Sequence, residues 1–272
     1  MASWDLWIEV KNIGIDEILE NIINEHCESR ANGKKGNSES GGEDLIDVLL
    51  KVTESGELGT PITNNNIKAV LFASFGAETS SAKIIWALAE MIRNPSIMDK
   101  AQLEVRQVLK GKTKFDDFDL EELKYLKLVI KETLRLHPPL PLLHPRECRE
   151  KTKIGKYTIP IKTRVLLNAW AIRRDPEYWH NPEIFIPDRS DESSIDFRGN
   201  HFEFIPFGAG RRMCPGWLFG LMNVEHPLTQ LLYHFDWKSP YEGLLENFDM
   251  TGTNGLSARR RDDLCLIATP YN

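Results

Sequence analysis

The spacing of hydrophobic and polar residues predicts that the first third of the chain is largely helical. Apolar residues recur at helical intervals over Ile15–Ile23 and Leu45–Val52. Asn64–Arg93 is long and mostly apolar, which predicts a central buried helix that stops before Asn94 and Pro95. Residues 30–43 are polar and glycine-rich, so an exposed flexible loop is expected between the first two helices.

Two further helices are predicted next. Ser96–Lys110 is rich in helix formers with a mixed charged face and is followed by Gly111, as in an outer helix. Asp119, with Glu122 three residues later, fits a capping box, and the apolar face that follows continues until Pro138 and Pro139. We therefore expect a helix that starts at Asp119 and ends sharply at the prolines.

The remaining pattern favours short strands around one more helix. Tyr157–Ile159 and Val165–Leu167 are strand candidates of a small sheet. An apolar helix is expected from Trp217 to about Leu232, although Pro227 inside it costs about 3 kcal/mol. A terminal β-hairpin is expected around Gly252–Gly255. The predicted fold class is mainly α with small β-sheets.

Composition limits the classes of function. The chain has 272 residues, 41% hydrophobic and 27% charged, as in an ordinary globular domain. A net charge of −6 shows no basic excess, so no nucleic-acid partner is expected. The cysteines are widely spaced without a C-x-x-C pair, which predicts neither a disulfide framework nor a zinc site. No run of about twenty apolar residues is present, so no membrane anchor is expected.

One cysteine lies in a highly specific pattern. Residues 207–216 read F-x-x-G-x-R-x-C-x-G, with Phe207, Gly210, Arg212 and Cys214 at fixed spacing before the apolar helix. A cysteine binds metal as the thiolate, which a neighbouring cation and a helix N-terminus stabilise. The glycines let the backbone approach a large flat group, against which Phe207 can pack. A lone cysteine is more often simply buried, but the surrounding pattern favours a ligand loop.

This loop resembles the haem-binding loop of the cytochromes P450. The resemblance runs from about Asp16 to Asn272, is closest in style to plant enzymes of specialised metabolism, and covers only the C-terminal half of that fold. Residues 1–14 match no recognisable pattern, so we expect an atypical N-terminal segment followed by part of a cytochrome P450 domain over residues 15–272. The resemblance implies haem b, with the Cys214 thiolate as the proximal iron ligand and Arg146 as a contact to a haem propionate.

A second motif lies on the predicted capped helix. Glu132 and Arg135 are three residues apart, so their side chains can pair, and taken alone a surface pair is the ordinary interpretation. The resemblance implies instead a structural network behind the haem, joined by Arg189 of the segment Pro187–Ser190. Ser190 stands where the family usually has Phe. Because truncation of a buried Phe commonly costs about 3–5 kcal/mol, we expect reduced local stability there.

The segment Phe75–Ser80 places a glycine, an acid and hydroxyl groups inside the predicted apolar helix. Glycine is a poor helix former, and polar groups are unfavourable inside an apolar helix, so their presence favours a functional site. The alternative interpretation is a polar stripe that faces a neighbouring element. The segment resembles the oxygen-activation motif of the family, which implies that Glu78 and Thr79 are catalytic and relay protons. Phe75 stands where the family has a small residue, so either it crowds the oxygen pocket or two residues are missing just upstream. Both alternatives stay open.

The resemblance implies a haem-thiolate monooxygenase that inserts one oxygen atom from O2 into a small apolar molecule such as a terpenoid. Electrons would come from NADPH through NADPH-cytochrome P450 reductase, docked on the cysteine side, and Leu142, Leu143 and Leu256 would line the substrate site. The family location is the cytosolic face of the endoplasmic reticulum membrane, and a cytosolic location is the alternative without an anchor. The alternative functions are an inactive, truncated cytochrome P450 remnant, with or without haem, and a cysteine hydrolase, for which no histidine pattern exists.

Overall fold

The structure is a computed structural model that describes residues 13–31, 44–56, 61–74, 77–112, 115–190, 195–240, 248–253 and 257–271. It consists mainly of helices with three small antiparallel strand pairs, which confirms the predicted fold class. The chain divides into two compact units, Met1–Gly76 and Ala77–Asn272, and each is described by itself. The single domain expected over residues 15–272 stays a prediction. No helix in these ranges is both long and apolar enough to cross a bilayer.

The first unit contains the helices α1 (Ile13–Ala31), α2 (Leu45–Ser55) and α3 (Asn64–Ser74). Both α2 and α3 pack against α1 around a small core made by Leu19, Ile23, Leu50, Ile67 and Leu71. The two amphipathic helices predicted from this part of the sequence are therefore present. Most of the predicted polar loop, residues 32–43, lies outside the described residues.

The second unit is built on helices that pack around one large core. In chain order they are α4 (Ala77–Arg93), α5 (Pro95–Val108), α6 (Asp117–Glu122), α7 (Lys124–Leu136), the short α8 (Ala169–Ile172) and α9 (Trp217–His234). The four longest, α4, α5, α7 and α9, contact one another. Pro227 lies inside α9, as the sequence predicted. Phe75 and Gly76 lie outside the described residues, so an unbroken helix over Asn64–Arg93 stays a prediction.

Three short antiparallel pairs complete the second unit. Strand β1 (Arg146–Glu147) pairs with β4 (Arg164–Val165), β2 (Thr152–Ile154) with β3 (Tyr157–Ile159), and β5 (Phe235–Lys238) with β6 (Ile267–Pro270). The strand predicted over Tyr157–Ile159 is confirmed, whereas the one predicted over Val165–Leu167 begins one residue earlier and ends at Val165. Gly252 bridges Arg260 in an antiparallel sense. The expected tip of that hairpin, residues 254–256, lies outside the described residues.

The helix start predicted at Asp119 is wrong by one turn. Asp116 is the N-cap of α6, and its carboxylate accepts hydrogen bonds from the backbone nitrogens of Phe118 and Asp119 at 3.0 and 3.1 Å. The Asp119 carboxylate in turn accepts a hydrogen bond from the Asp116 backbone nitrogen at 3.2 Å, which completes a capping box. Asp116 with Asp119 has the same three-residue spacing as Asp119 with Glu122, and both pairs fit a capping box. Spacing alone therefore could not decide which pair marks the start of the helix. The helix is also interrupted at Leu123, between α6 and α7.

The N-terminus of α7 is capped from a neighbouring helix. Leu123 offers no capping side chain, but the Glu104 carboxylate of α5 accepts hydrogen bonds from the backbone nitrogens of Tyr125 and Leu126 at 2.7 and 2.9 Å. A carboxylate in this position satisfies two free N–H groups and interacts favourably with the helix dipole. Glu104 therefore ties α5 to the start of the helix that carries Glu132.

We expect Glu104→Ala to lower the free energy of unfolding by about 1–2 kcal/mol, the usual effect of removing an N-cap. Urea unfolding followed by circular dichroism measures this change. Glu121→Ala is the matched control, because Glu121 is an exposed acid on α6. Equal unfolding midpoints for the two variants would contradict a capping role for Glu104.

Candidate functional site

The cysteine loop presents its thiol to solvent directly before α9. Phe204, Ile205 and Pro206 are buried and anchor the loop, while Cys214 is exposed. The Cys214 backbone nitrogen donates to the Phe207 carbonyl at 2.9 Å, which closes the loop into a tight turn. Within that turn Gly208 and Gly210 have φ of 76° and 66°, in the left-handed region that favours glycine. The local sequence therefore fixes where the sulfur lies.

Aromatic packing supports the loop from within. Phe207 lies edge-on to Phe197, with ring centroids 5.9 Å apart. Phe197 in turn contacts Trp217, the first residue of α9, at 5.5 Å. These contacts join both ends of the loop to one aromatic cluster.

Two guanidinium groups lie beside the loop. Arg146 projects from β1, and its Nη2 donates to the Arg212 carbonyl at 3.4 Å. Both arginine side chains are exposed, as is Cys214. The structure therefore brings Arg146, predicted from a distant part of the sequence, to the cysteine loop.

Glu132, Arg135 and Arg189 form one buried network, a grouping that the family resemblance implied and that the spacing of the motif alone did not. The Glu132 side chain is fully buried and accepts from Arg135 Nε at its Oε2 and from Arg135 Nη2 at its Oε1, both at 2.8 Å. Oε1 also accepts from Arg189 Nε at 2.9 Å and from the Ile186 backbone nitrogen at 3.0 Å. Arg135 Nη1 donates further to the carbonyls of Arg173 and Pro182. Two guanidinium groups thus share one carboxylate, and backbone carbonyls accept their remaining hydrogen bonds.

Comparison with known proteins assigns the chain to a family. The sequence profile described as "Cytochrome P450" matches residues 4–265. This chain belongs to the cytochrome P450 family. It is 58% identical to premnaspirodiene oxygenase of Hyoscyamus muticus over 259 residues, which is 94% of this chain and 51% of the relative. It is 56% identical to 5-epiaristolochene 1,3-dihydroxylase of Nicotiana tabacum, covering 96% of this chain and 52% of the relative.

The fold comparison agrees with the sequence comparison. A zebra fish cytochrome P450 solved with abiraterone matches with a TM-score of 0.78 at 27% identity, over 95% of this chain and 59% of that one. This cytochrome P450 chain thus spans about half the length of the curated relatives it matches.

The cytochrome P450 family implies a haem group, and the residues at the cysteine loop fit one. A free, exposed sulfur stands at the N-terminus of α9. A Cβ added at Gly210 would meet no atom within 4 Å, so open space adjoins the loop. The first turn of α9 exposes Leu218 and Phe219, which offer an apolar surface. Arg146 and Arg212 supply two cations, and guanidinium groups suit the carboxylates of a porphyrin.

The structure places the other predicted residues of this cytochrome P450 chain as follows. Thr79 is half-buried on α4; Glu78 is also on α4, but its side chain lies outside the described residues, as does all of Leu256. Leu142 is exposed, and Leu143 is instead buried in a small core with Ala169 and Ile205. Of these leucines, Leu142 is the one whose described side chain is open to a ligand.

Sequence reasoning missed Arg173, a fully buried arginine that joins two parts of the site. It donates from Nη1 to the Leu134 carbonyl at 2.8 Å and from Nη2 to the Ile205 carbonyl at 3.0 Å. It therefore links the end of α7 to the cysteine loop. Burial, together with the nearby Arg174 and Arg135, lowers the pKa of Arg173 to about 9. The sequence shows only two adjacent arginines, and nothing in it distinguishes the buried one.

Sequence reasoning also missed a buried clamp around His137, at the end of α7. The His137 ring stacks on Trp86 with centroids 3.9 Å apart, and its Nε2 lies 2.7 Å from the Glu90 carboxyl. Lys83 donates to the His137 carbonyl. Burial raises the pKa of Glu90 to about 7 and lowers that of His137, which nearby cations lower further. Helical spacing could have indicated this cluster, because residues 83, 86 and 90 lie on one face of a helix.

Proposed function

We propose that this chain carries the haem site of a haem-thiolate monooxygenase, which inserts one oxygen atom from O2 into a small apolar substrate. The observation that carries the proposal is the exposed Cys214 thiol, held at the N-terminus of α9 by the bond from its backbone nitrogen to Phe207. A cysteine binds a metal through its sulfur as the thiolate, and Arg212 lies two residues before this cysteine in the loop. The proposed cofactor is haem b.

Each site residue has a proposed task. Cys214 Sγ would ligate the iron, and Arg146 and Arg212 would bind the two propionates. When bound, the haem supplies the oxygen activation that no side chain provides. Thr79 would hold and pass a proton at its Oγ1, with Glu78 as its neighbouring acid.

The buried network has a positioning task in this proposal. Glu132 holds Arg135 and Arg189, and Arg135 in turn bonds the Arg173 carbonyl. Arg173 then bonds the Ile205 carbonyl, two residues before Phe207. A rigid support of this kind keeps a metal ligand within the narrow geometry that binding requires.

The proposed substrate class rests on the names of the relatives, and the proposed redox partner rests on membership of the family. The names of premnaspirodiene oxygenase and 5-epiaristolochene 1,3-dihydroxylase support a small apolar substrate of the terpenoid class. The proposed electron donor is NADPH-cytochrome P450 reductase, docked on the cysteine side, and the proposed location is the cytosolic face of the endoplasmic reticulum membrane. These proposals concern the whole enzyme, of which this chain spans about half the usual length.

The second candidate is a cytochrome P450 remnant, with or without haem, that does not turn over. Its support is that Leu142, on the predicted substrate side, is open to solvent. An open pocket admits water and gives an apolar substrate little enclosure. A remnant that binds haem differs from the first candidate only in turnover, whereas a haem-free remnant also lacks the haem-thiolate bond.

The deciding experiment is a reduced, carbon monoxide difference spectrum of the chain after reconstitution with haem. We expect a thiolate-type absorption that Cys214→Ala abolishes, because the sulfur ligand is lost. Cys265→Ala is the matched control, since Cys265 is also a free and exposed cysteine, and it should keep the absorption. Absence of the thiolate signal in the parent chain would overturn the haem-thiolate proposal.

Turnover is then measured separately. With NADPH and a cytochrome P450 reductase, oxygenated terpenoid product formed by the parent chain but not by Cys214→Ala supports the monooxygenase. A thiolate signal without any product would favour the remnant.

A further inference from the structure

A histidine of the first unit lies between two carboxylates, where α1 meets the start of α2. His26 continues the buried face of α1 that carries Leu19 and Ile23, because residues 19, 23 and 26 fall on one side of a helix. It is only 9% exposed. Its two ring nitrogens face the carboxylates of Asp47 and Asp44.

Packing holds the two helices together around this histidine. The helices α1 and α2 share the small core that includes Leu19 and Ile23, which precede His26 on α1. After His26, Arg30 Nη2 of α1 donates to Glu54 Oε2 of α2 at 2.7 Å. The position of the histidine relative to α2 is therefore fixed by contacts on both sides of it.

Asp47 fixes the orientation and the tautomer of the His26 ring. Asp47 Oδ1 lies 3.2 Å from Nδ1, and a carboxylate oxygen only accepts hydrogen bonds, so Nδ1 carries the hydrogen. The Asp47 side chain is 5% exposed, and its Oδ2 accepts from the Asp44 backbone nitrogen at 3.4 Å. In the neutral ring the lone pair is then on Nε2. Histidines that bind metals are commonly held in this way, by a carboxylate on the other ring nitrogen.

Asp44 presents its second oxygen to that lone pair. Its Oδ1 caps α2 by accepting from the backbone nitrogens of Ile46 and Asp47 at 2.9 and 3.0 Å. Its Oδ2 lies 3.5 Å from His26 Nε2, whereas a charge-assisted hydrogen bond usually measures about 2.7–2.9 Å. Two ligand atoms that are each about 2.1 Å from one tetrahedral ion lie about 3.4 Å apart. The spacing therefore suits a shared cation better than a shared proton.

The charge and the exposure of the cluster also favour a cation. Two carboxylates face one neutral imidazole, and in the described part of the chain the ion pairs of Asp44 and Asp47 involve only His26. The Asp44 side chain is 38% exposed, so an ion can reach Oδ2 from solvent and keep water on its remaining positions. Imidazole and carboxylate are both ordinary ligands of zinc.

We propose that His26 Nε2 and Asp44 Oδ2 bind a divalent cation of the zinc class, and that Asp47 positions the histidine. The ion links α1 to the start of α2. Two protein ligands are fewer than the four of a structural zinc site, so this ion exchanges readily with solvent. The site contains no cysteine, which is why the cysteine spacing gave no indication of it. It needs no haem, substrate or redox partner, so it can fail while the proposed function stands.

Calorimetric titration of the full chain with Zn²⁺ tests the proposal. The parent chain should show one saturable site. His26→Gln should weaken binding tenfold or more because a ligand is lost, and Asp47→Asn should weaken it about tenfold because the ring loses its orienting carboxylate. Asp44→Asn is the sharpest variant. Asparagine caps a helix as well as aspartate does but lacks the charged ligand oxygen, so binding should fall tenfold or more while α2 stays capped.

Two matched variants control for these changes. Asp116 caps α6 in the same kind of capping box as Asp44 caps α2, and no histidine of the described ranges pairs with it. Asp116→Asn should therefore bind Zn²⁺ as the parent chain does. His201→Gln should do so too, because His201 faces a single carboxylate, that of Glu203, at 3.9 Å. Circular dichroism should show that all variants fold.

A second metal distinguishes this site from binding to a thiol. Cys27 is free, exposed and adjacent to His26, and thiolates bind zinc well. Co²⁺ in place of zinc reports its coordination geometry through visible absorption, to which a thiolate ligand adds charge-transfer absorption. Cys27→Ala should leave both the Co²⁺ spectrum and the Zn²⁺ affinity unchanged. Zn²⁺ should also raise the urea midpoint of the parent chain but not that of Asp44→Asn.

Three results would overturn the proposal. One is a folded Asp44→Asn or His26→Gln chain that binds Zn²⁺ as tightly as the parent chain. Another is a parent chain that binds no Zn²⁺ up to millimolar concentration, which would make His26 a protonated bridge between the two carboxylates. The third is loss of binding in Cys27→Ala, which would place the ion on that thiol.

Discussion

Replacing Glu132 with alanine is expected to lower the free energy of unfolding by about 3–5 kcal/mol, because it leaves two guanidinium groups without their shared carboxylate in a dry interior. Arg135 and Glu132 are buried to 1% and 0% side-chain exposure. Arg189 would retain only backbone carbonyl partners. Glu132→Gln keeps the shape of the side chain but loses the charge, so its effect should be smaller than that of alanine.

The control for this prediction is a salt bridge on the surface of the same unit. Glu183 pairs with Arg174 at 3.1 Å but is largely exposed, and such pairs are worth about 1 kcal/mol or less. Glu183→Gln should therefore unfold at nearly the parent denaturant concentration. If Glu132→Ala and Glu183→Gln unfolded at the same denaturant concentration, the prediction would be wrong. The hydrogen bonds from Arg135 to backbone carbonyls would then be sufficient to stabilise its buried side chain.

The haem spectrum adds a second measurement to the same variant. Arg135 bonds the Arg173 carbonyl, and Arg173 bonds the Ile205 carbonyl at the start of the cysteine loop. Loss of Glu132 should therefore loosen Cys214 even in molecules that remain folded. We expect a weaker thiolate signal per folded chain, with Glu183→Gln unaffected.

Much of the architecture could be predicted because local sequence patterns determine it. Helical spacing located α1, α2 and α9, and the F-x-x-G-x-R-x-C-x-G pattern located the cysteine loop. The contact between Glu132 and Arg189, 57 residues apart, came only from resemblance to a family. No propensity or periodicity connects residues at that distance. The helix start at Asp119 failed because two overlapping acid pairs satisfied one rule.

The buried charges could not be predicted, because their partners are tertiary. Lys83 and Glu90 interrupt an apolar helix, and an isolated sequence offers a surface stripe as the simpler explanation. Their burial becomes reasonable only once His137 from the end of α7 lies against the same face. Arg173 shows the same limit, since its two partners are backbone carbonyls, which every residue has. A buried polar group is recognised by what satisfies it.

Replacing Glu90 with glutamine is expected to raise the pH at which acid begins to destabilise the chain. In the folded chain burial raises the Glu90 pKa from its ordinary 4.5 to about 7 and holds that of His137 below its ordinary 6.5. The folded pair then carries one proton, on the Glu90 carboxyl that donates to His137 Nε2. The unfolded pair also carries one proton between pH 4.5 and 6.5, on the histidine. The contribution of this pair to the free energy of unfolding should therefore not change with pH in that range.

The sign of the pH dependence outside this window follows from the same proton count. Below pH 4.5 the unfolded Glu90 and His137 carry two protons against one in the folded pair, so acid destabilises the chain. Above pH 6.5 the unfolded pair has lost both protons while the folded pair keeps one up to about pH 7. The free energy of unfolding should therefore fall as the pH rises through that short interval.

A glutamine at position 90 cannot carry the proton that the Glu90 carboxyl holds in the folded chain. His137 is then the only member of the pair that titrates. Its pKa is lowered on folding from 6.5, so the unfolded state binds the extra proton and stability should fall as pH drops below that value. The expected slope is about 1.4 kcal/mol per pH unit. Urea unfolding at a series of pH values measures it. The double variant Glu90→Gln with His137→Asn should lose this slope, and an unchanged acid limit in Glu90→Gln would mean that the buried pair holds no shared proton.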